Sequence, residues 1–144
     1  MTKTIKRSLA LLLALITLFS VCTCLASAKE TGAKSLYFSQ VTTNASISSG
    51  GLLNIRNSYI ISSSAFTSAK ISTYVERKVL GLFWVKVDNG QPDKTWVAYP
   101  TATVYNQPYT LQLSQTGNYR VTAEYTFYGS NGTESITKQP TATY

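Results

Sequence analysis

Residues 119–128 read Tyr-Arg-Val-Thr-Ala-Glu-Tyr-Thr-Phe-Tyr, and this stretch decides the fold class. Large or apolar side chains occupy the odd positions, while mostly polar ones occupy the even positions up to Thr126. Successive side chains of a β-strand point to opposite faces, so the alternation predicts a strand with one buried side and one solvent-facing side. The predicted inward residues are Tyr119, Val121, Ala123, Tyr125 and Phe127.

Other segments repeat this alternation between turn-forming residues. The clearest are 52–62, 69–79 and 82–87, and further strands are predicted at 35–43, 95–99, 109–113 and 133–139. Ser48-Ser49-Gly50-Gly51 is a turn signal, and Pro140 is expected to weaken strand pairing beyond it. Seven or eight short strands at this spacing predict an all-β antiparallel sandwich or barrel.

The N-terminal segment has the three-part layout of a secretory signal peptide. Lys3, Lys6 and Arg7 precede an apolar run at 9–21, and Ala26-Ser27-Ala28 supplies small residues before a cleavage point. The apolar run is shorter than the roughly 20 residues that span a bilayer. We therefore predict a helical signal peptide at 1–28, a single domain at 29–144, and a secreted, extracellular protein without a stable membrane anchor.

Residues 29–144 contain no histidine, cysteine or methionine, and only six carboxylates. Cys22 and Cys24 lie within the predicted signal peptide, so the expected mature chain has no disulfide. A nucleophilic triad has no histidine to act as its base. The polar loop at 88–94 has oxygen ligands for calcium but is better interpreted as a hairpin loop. We expect no catalytic activity, no metal and no cofactor.

The predicted mature chain is modestly basic. Removal of the signal peptide leaves ten basic and six acidic residues, which gives a net charge of +4. This charge favours acidic partners. An anionic wall polymer, a carbohydrate or another surface protein is the expected partner, and no lysine–arginine cluster indicates nucleic acid.

The pattern Leu111-x-Leu113-x-x-Thr116-Gly117-x-Tyr119-x-Val121-x-Ala123 resembles the corner and F strand of immunoglobulin-like domains. The resemblance implies that Tyr119 hydrogen-bonds back to the backbone of the corner. Val121 stands where those domains place a core cysteine, so this chain would be a disulfide-free variant. The resemblance therefore narrows the expected fold to an immunoglobulin-like β-sandwich.

A broader resemblance covers most of residues 29–144. The chain is similar to small secreted proteins of unknown function from Gram-positive bacteria. The similarity implies a habitat and no activity. The stretches that carry it are Tyr74-Val-Glu-Arg-Lys78, Phe83-Trp84 with Val87-Asp-Asn-Gly-Gln-Pro92, and Leu113-Ser114 with Thr116-Gly117 and Tyr119-Arg-Val121.

An immunoglobulin-like arrangement places segments 69–79, 82–87 and 119–128 side by side, so their polar faces form one outer surface. Aromatic planes among cations are typical of sugar, peptide and anionic-polymer sites. The alternative is that the same pairs only stabilise an exposed sheet. The candidate ligand-binding residues are Tyr74, Trp84, Lys86, Arg120 and Tyr128.

These observations lead to one functional expectation and two alternatives. The expectation is a non-catalytic binding module for an acidic or carbohydrate surface. The first alternative is a secreted membrane-active effector, similar to an antimicrobial protein. The second is a purely structural or matrix component.

Overall fold

A computed structural model describes residues 34–144 of the chain. The predicted signal peptide lies outside these described residues. Nine strands follow one another in the described part, interrupted by one 3-10 turn at Pro92–Lys94. They are β1 (Phe38–Ile47), β2 (Leu52–Ile61), β3 (Phe66–Val79), β4 (Phe83–Lys86), β5 (Trp96–Ala98), β6 (Val104–Gln112), β7 (Asn118–Gly129), β8 (Gly132–Lys138) and β9 (Thr141–Thr143).

The strands form two antiparallel sheets. The smaller sheet has the order β1-β2-β6, and the larger has the order β4-β3-β7-β8, with β5 added to β3 and β9 added to β7. Strands A, B and E of an immunoglobulin-like domain correspond to β1, β2 and β6, and strands C, F and G correspond to β3, β7 and β8. The prediction of an all-β, immunoglobulin-like sandwich is confirmed.

The alternation in the sequence correctly gives the buried faces of the long strands. Every predicted inward residue of β7 is at most 2% exposed, and Ile71, Thr73 and Val75 of β3 are fully buried. The two strands pair in a continuous antiparallel register from Ser68–Tyr128 to Arg77–Tyr119. The strand that defined the fold class is therefore central in the larger sheet.

Proline accounts for the two largest differences from the predicted strands. β6 begins at Val104 rather than at 109, and Pro108 lies inside it, opposite Arg56 of β2. This position is tolerated because β6 is an edge strand, where a missing N–H donor faces away from the sheet. Beyond Pro140 the chain forms β9, which pairs with β7 around Arg120 and was not predicted.

The core consists of two clusters of buried residues between the sheets. The aromatic cluster places Tyr59 against Phe127 in an edge-to-face arrangement with ring centroids 5.3 Å apart, and Tyr105 stacks on Tyr59 at the same distance. The other cluster is mainly aliphatic and joins β2, β3 and β7. Its buried members are Leu53, Ile55, Val75, Leu113, Tyr119 and Val121.

Buried hydrogen bonds link the two sheets across this core. The Thr43 and Tyr125 hydroxyls are 2.7 Å apart, and the Tyr125 hydroxyl also lies 3.0 Å from the Thr42 carbonyl oxygen. The Asn57 amide donates to the Thr73 hydroxyl at 2.7 Å. Directional bonds of this kind fix how the sheets face each other, which apolar packing alone would specify less strictly.

The corner before β7 has the expected tyrosine hydrogen bond. The hydroxyl of buried Tyr119 donates to the Gln115 carbonyl, four residues earlier in the chain. This bond joins the loop between the two sheets to the core. Val121 is also buried and takes the place that the resemblance assigns to a cysteine.

We predict that Tyr119→Phe lowers the free energy of unfolding by about 1 kcal/mol, because the corner loses the hydrogen bond that joins the Gln115 carbonyl to buried Tyr119. Urea unfolding followed by tryptophan fluorescence measures the change. Tyr128→Phe is the control, since Tyr128 is exposed, and it should shift stability by under about 0.5 kcal/mol. Equal effects of the two substitutions would contradict the role given to the corner.

Alkaline pH should destabilise the domain through its buried tyrosines. Burial raises the pKa of Tyr59 and of Tyr125 to about 12, above the value of about 10 expected in the unfolded chain. The folded state holds these protons more tightly, so their stabilisation is complete below about pH 10 and is lost as pH rises towards 12. Each tyrosine should reduce stability by up to about 1.4 kcal/mol per pH unit in that window.

Urea midpoints measured across the window, together with phenolate absorbance, test this expectation. Tyr125→Phe removes one titrating group and should make the alkaline decline less steep. A midpoint that stays constant through the window would contradict the prediction.

Candidate functional site

Three strands bring the predicted outer surface together. β3 pairs with β4 and β7, so Glu76 lies opposite both Lys86 and Arg120, and Lys78 lies opposite Trp84. All of these residues point to the outer face of the larger sheet, away from the core. We call the following set the basic cluster: Tyr74, Glu76, Lys78, Trp84, Lys86 and Arg120.

An ion pair holds the centre of the basic cluster. The Arg120 guanidinium contacts Glu76 Oε2 at 2.7 Å through one terminal nitrogen and at 2.8 Å through Nε. The two side chains are only 25% and 13% exposed, so water screens their attraction less than at an open surface. The buried Thr122 hydroxyl also donates to Glu76 at 3.4 Å. The pair therefore has a structural role and fixes the Arg120 plane.

Cations cover the aromatic rings of the cluster. Arg120 Cζ lies 4.5 Å from the centroid of Trp84, and Lys78 Nζ lies 5.8 Å from it. Lys86 Nζ lies 4.2 Å from the centroid of Tyr74 and also donates to the Thr95 hydroxyl at 3.2 Å. These distances fit cation–π interactions. The cluster therefore presents ordered positive charge rather than bare aromatic planes.

Tyr74 links the cluster to the next row of the sheet. Its hydroxyl donates to Glu124 at 3.5 Å, and burial raises the pKa of its phenol. Thr122 lies opposite Tyr74 and accepts a hydrogen bond from the side-chain amide of Gln139 at 3.2 Å. The outer face near Tyr74 is thus a connected layer of polar side chains.

Four of the five predicted site residues come together, and Tyr128 does not. Tyr74 lies opposite Thr122, whereas Tyr128 lies six residues further along β7, opposite Ser68 and Thr133. At about 3.3 Å per residue, this separation is roughly 20 Å. Tyr128 shares the outer face but belongs to its far end.

Three aromatic residues from β5 to the start of β6 differ in how far they are packed against the core. They are Trp96, Tyr99 and Tyr105. Trp96 stacks on Tyr109 with ring centroids 5.0 Å apart, and Tyr105 stacks on Tyr59, so both pack against the core clusters. Tyr99 is exposed. Trp96 and Tyr105 therefore help to close the sandwich, whereas Tyr99 does not.

The sequence interpretation overlooked an exposed apolar group at the tip of the β3–β4 hairpin. Leu80 is 84% exposed, Leu82 is 73% exposed and Phe83 is 62% exposed, and Val85 follows them as an exposed residue of β4. The sequence does contain a signal for this group, because Leu80 and Leu82-Phe83 flank Gly81 on both sides.

The polar loop at 88–94 uses its oxygens internally. Asp88 Oδ1 accepts the Gly90 backbone N–H at 3.0 Å, and Asn89 Oδ1 accepts that of Gln91 at 3.1 Å. Within residues 34–144, no three His, Cys, Asp or Glu side chains are grouped as metal ligands. The same part of the chain has no helix long and apolar enough to cross a membrane.

Fold and cluster together define the chain as a β-sandwich with an ordered, positively charged outer face. Comparison with known protein families finds no family that matches the chain, and a search of curated proteins finds no match either.

We predict that Glu76→Gln lowers the free energy of unfolding by about 1–3 kcal/mol, because it leaves the Arg120 guanidinium without a carboxylate in a partly buried site. Glu124→Gln is the matched control. Glu124 is an exposed carboxylate on the same face, and its loss should cost under about 0.5 kcal/mol. Thermal and urea unfolding of both variants measure the difference, and a mild Glu76 variant would show that the pair is not structural.

Proposed function

We propose that this protein is a non-catalytic binding module whose basic cluster attaches it to an acidic polymer surface, such as an anionic wall polymer. The observation that carries the proposal is the arrangement of Lys78 and Lys86. Each ammonium is held near an aromatic ring, and the only ion pair found within residues 34–144 is the one between Arg120 and Glu76. Both lysines therefore keep their charge for an external partner.

The rings also reduce the cost of binding. A free lysine side chain loses rotamer entropy when it is ordered by a ligand. Here Trp84 and Tyr74 already restrict the two lysines, and Arg120 is fixed by its pair with Glu76. The ammonium groups thus form a preorganised set of charges on a sheet in which β3 is paired on both sides.

An acidic partner suits the cluster better than a neutral sugar does. Sugar rings stack on open aromatic faces, but Trp84 has the Arg120 guanidinium at 4.5 Å and Tyr74 has the Lys86 ammonium at 4.2 Å. Phosphate or carboxylate groups would instead contact the cations directly. The proposed mode is charge recognition, with the aromatic rings serving as supports.

The proposal includes secretion and the absence of catalysis. Residues 29–144 contain no histidine, and the Glu76 carboxylate is bound to Arg120. The other carboxylate on this face, Glu124, lies opposite Ser72, one outward-facing row beyond the Tyr74–Thr122 pair. This arrangement supports binding rather than a pair of acid–base carboxylates.

The test compares two double variants that remove equal charge. Lys78→Gln with Lys86→Gln should weaken binding to poly(glycerol phosphate) about tenfold, because each exposed contact contributes up to about 1 kcal/mol. Lys34→Gln with Arg56→Gln also removes two exposed charges, but at positions outside the cluster. Its binding should stay within about twofold of the unchanged protein.

Isothermal titration at two salt concentrations gives both the affinity and its salt dependence. The cluster variant should have a weaker salt dependence than the control variant. Equal losses in the two variants would mean that net charge alone drives binding. A lack of binding by the unchanged protein would reject this class of polymer.

A further inference from the structure

The β3–β4 hairpin ends in a tight turn with unusual residues. The Leu82 backbone N–H donates to the Val79 carbonyl at 3.1 Å, and the two residues between them have positive φ angles, 52° at Leu80 and 68° at Gly81. This is the pattern of a type I′ turn, in which asparagine, aspartate or glycine is the usual first central residue. Leucine is disfavoured there because its Cβ crowds the backbone.

The turn therefore places a large apolar side chain at a position where the backbone conformation is unfavourable for it and where it is exposed to water. Leu80 is the most exposed of the large apolar residues described. An asparagine at this position would relieve the backbone and suit water. Because Leu80 is unfavourable for the stability of its own turn, its presence there indicates a function rather than a role in stability.

The apolar group extends back along β4. Phe83 and Val85 have the parity of the inward face, yet they are 62% and 50% exposed. The smaller sheet thus leaves this end of the hairpin uncovered. Leu80, Leu82 and Phe83 form an exposed apolar tip at the end of the hairpin, where their side chains are free to enter an apolar phase.

Basic side chains stand directly behind the apolar tip. Arg77 and Lys78 precede it on β3, Lys86 follows it on β4, and residues 77–86 contain no acid. Lys78 and Arg77 lie two and three residues from Leu80, or roughly 7–10 Å along the strand. An apolar segment at a membrane interface penetrates by about 5–10 Å, so the cations would reach the phosphate level as the tip enters the acyl boundary.

We propose that the tip of the β3–β4 hairpin inserts into the interface of an anionic phospholipid bilayer. Leu80, Leu82 and Phe83 enter the acyl boundary, and the neighbouring cations contact lipid phosphates. The combination of an exposed apolar tip with Arg77, Lys78 and Lys86 beside it matches a negatively charged membrane surface. Three side chains of this size give reversible attachment. Lys78 and Lys86 would take part in both proposals, whereas Leu80, Leu82 and Phe83 take part only in this one, so substitutions at the tip distinguish the two.

Leu80→Asn provides the sharpest test, because it should weaken membrane binding without lowering stability. Binding to vesicles of phosphatidylglycerol and phosphatidylcholine should fall at least about tenfold, since a leucine side chain is removed from the apolar phase. The melting temperature should be unchanged or higher, since asparagine tolerates a positive φ. Val104→Asn, at another exposed apolar position, should bind vesicles like the unchanged protein.

Co-sedimentation of the chain from residue 29 with the mixed vesicles, and with phosphatidylcholine alone, measures binding. The proposal requires stronger binding to the anionic vesicles, its loss in Leu80→Asn, and unchanged poly(glycerol phosphate) binding by that variant. Three results would overturn it: no binding to anionic vesicles, equal vesicle binding by Leu80→Asn, or a dimer of the unchanged protein that Leu80→Asn converts to a monomer. The last result would mean that a second copy covers the tip.

Discussion

The antiparallel pairing of β3 with β7 supports most of this structure. β4 and β5 attach only to β3, while β8 and β9 attach only to β7, so all four short strands depend on this one ladder. The inward side of the same ladder supplies much of the core, including Ile71, Val75, Val121 and Phe127. Its outward side carries Glu76 and Arg120 as a cross-strand pair. Because one register sets both faces, a slip by one residue would expose the core and bury the ion pair together.

Alternation in the sequence identified the two strands of this ladder and their faces, and the resemblance to immunoglobulin-like domains placed the strands in one sheet. It could not give position along a strand, which is why Tyr128 was grouped with Tyr74 although about 20 Å separates them. Pro108 and Pro140 prevented the prediction of the start of β6 and of the whole of β9, because the effect of a proline depends on whether its strand lies at the edge of a sheet. The inter-sheet bond from Asn57 to Thr73 was also not predictable, because it depends on how two sheets face each other. Cation positions over the rings depend on side-chain rotamers and so required the structure.

The basic cluster shows how one set of contacts can have two consequences. The charge of Arg120 is satisfied within the molecule, since Glu76 neutralises it and the guanidinium lies 4.5 Å from the centroid of the Trp84 ring. Lys78 and Lys86 rest on rings that add no opposing charge, so the same packing that orders them leaves their positive field intact. The β3–β4 hairpin carries both lysines and, beyond them, the apolar tip. The positive charges and the exposed apolar residues therefore follow one another along the β3–β4 hairpin, with the apolar residues at its end.

The free edges of the sheets have a consequence for the protein at high concentration. An uninterrupted edge strand offers a row of unpaired backbone groups to which another chain can add, which starts aggregation. One edge of the larger sheet is divided between β4 and β5, of four and three residues, and Pro140 separates β8 from β9 on the other. On the smaller sheet, Pro108 interrupts the hydrogen-bonding row of β6. Among the described edge strands, β1 at the other side of the smaller sheet is the longest, with ten residues, so the addition of a second molecule is expected to start there rather than at the divided edges.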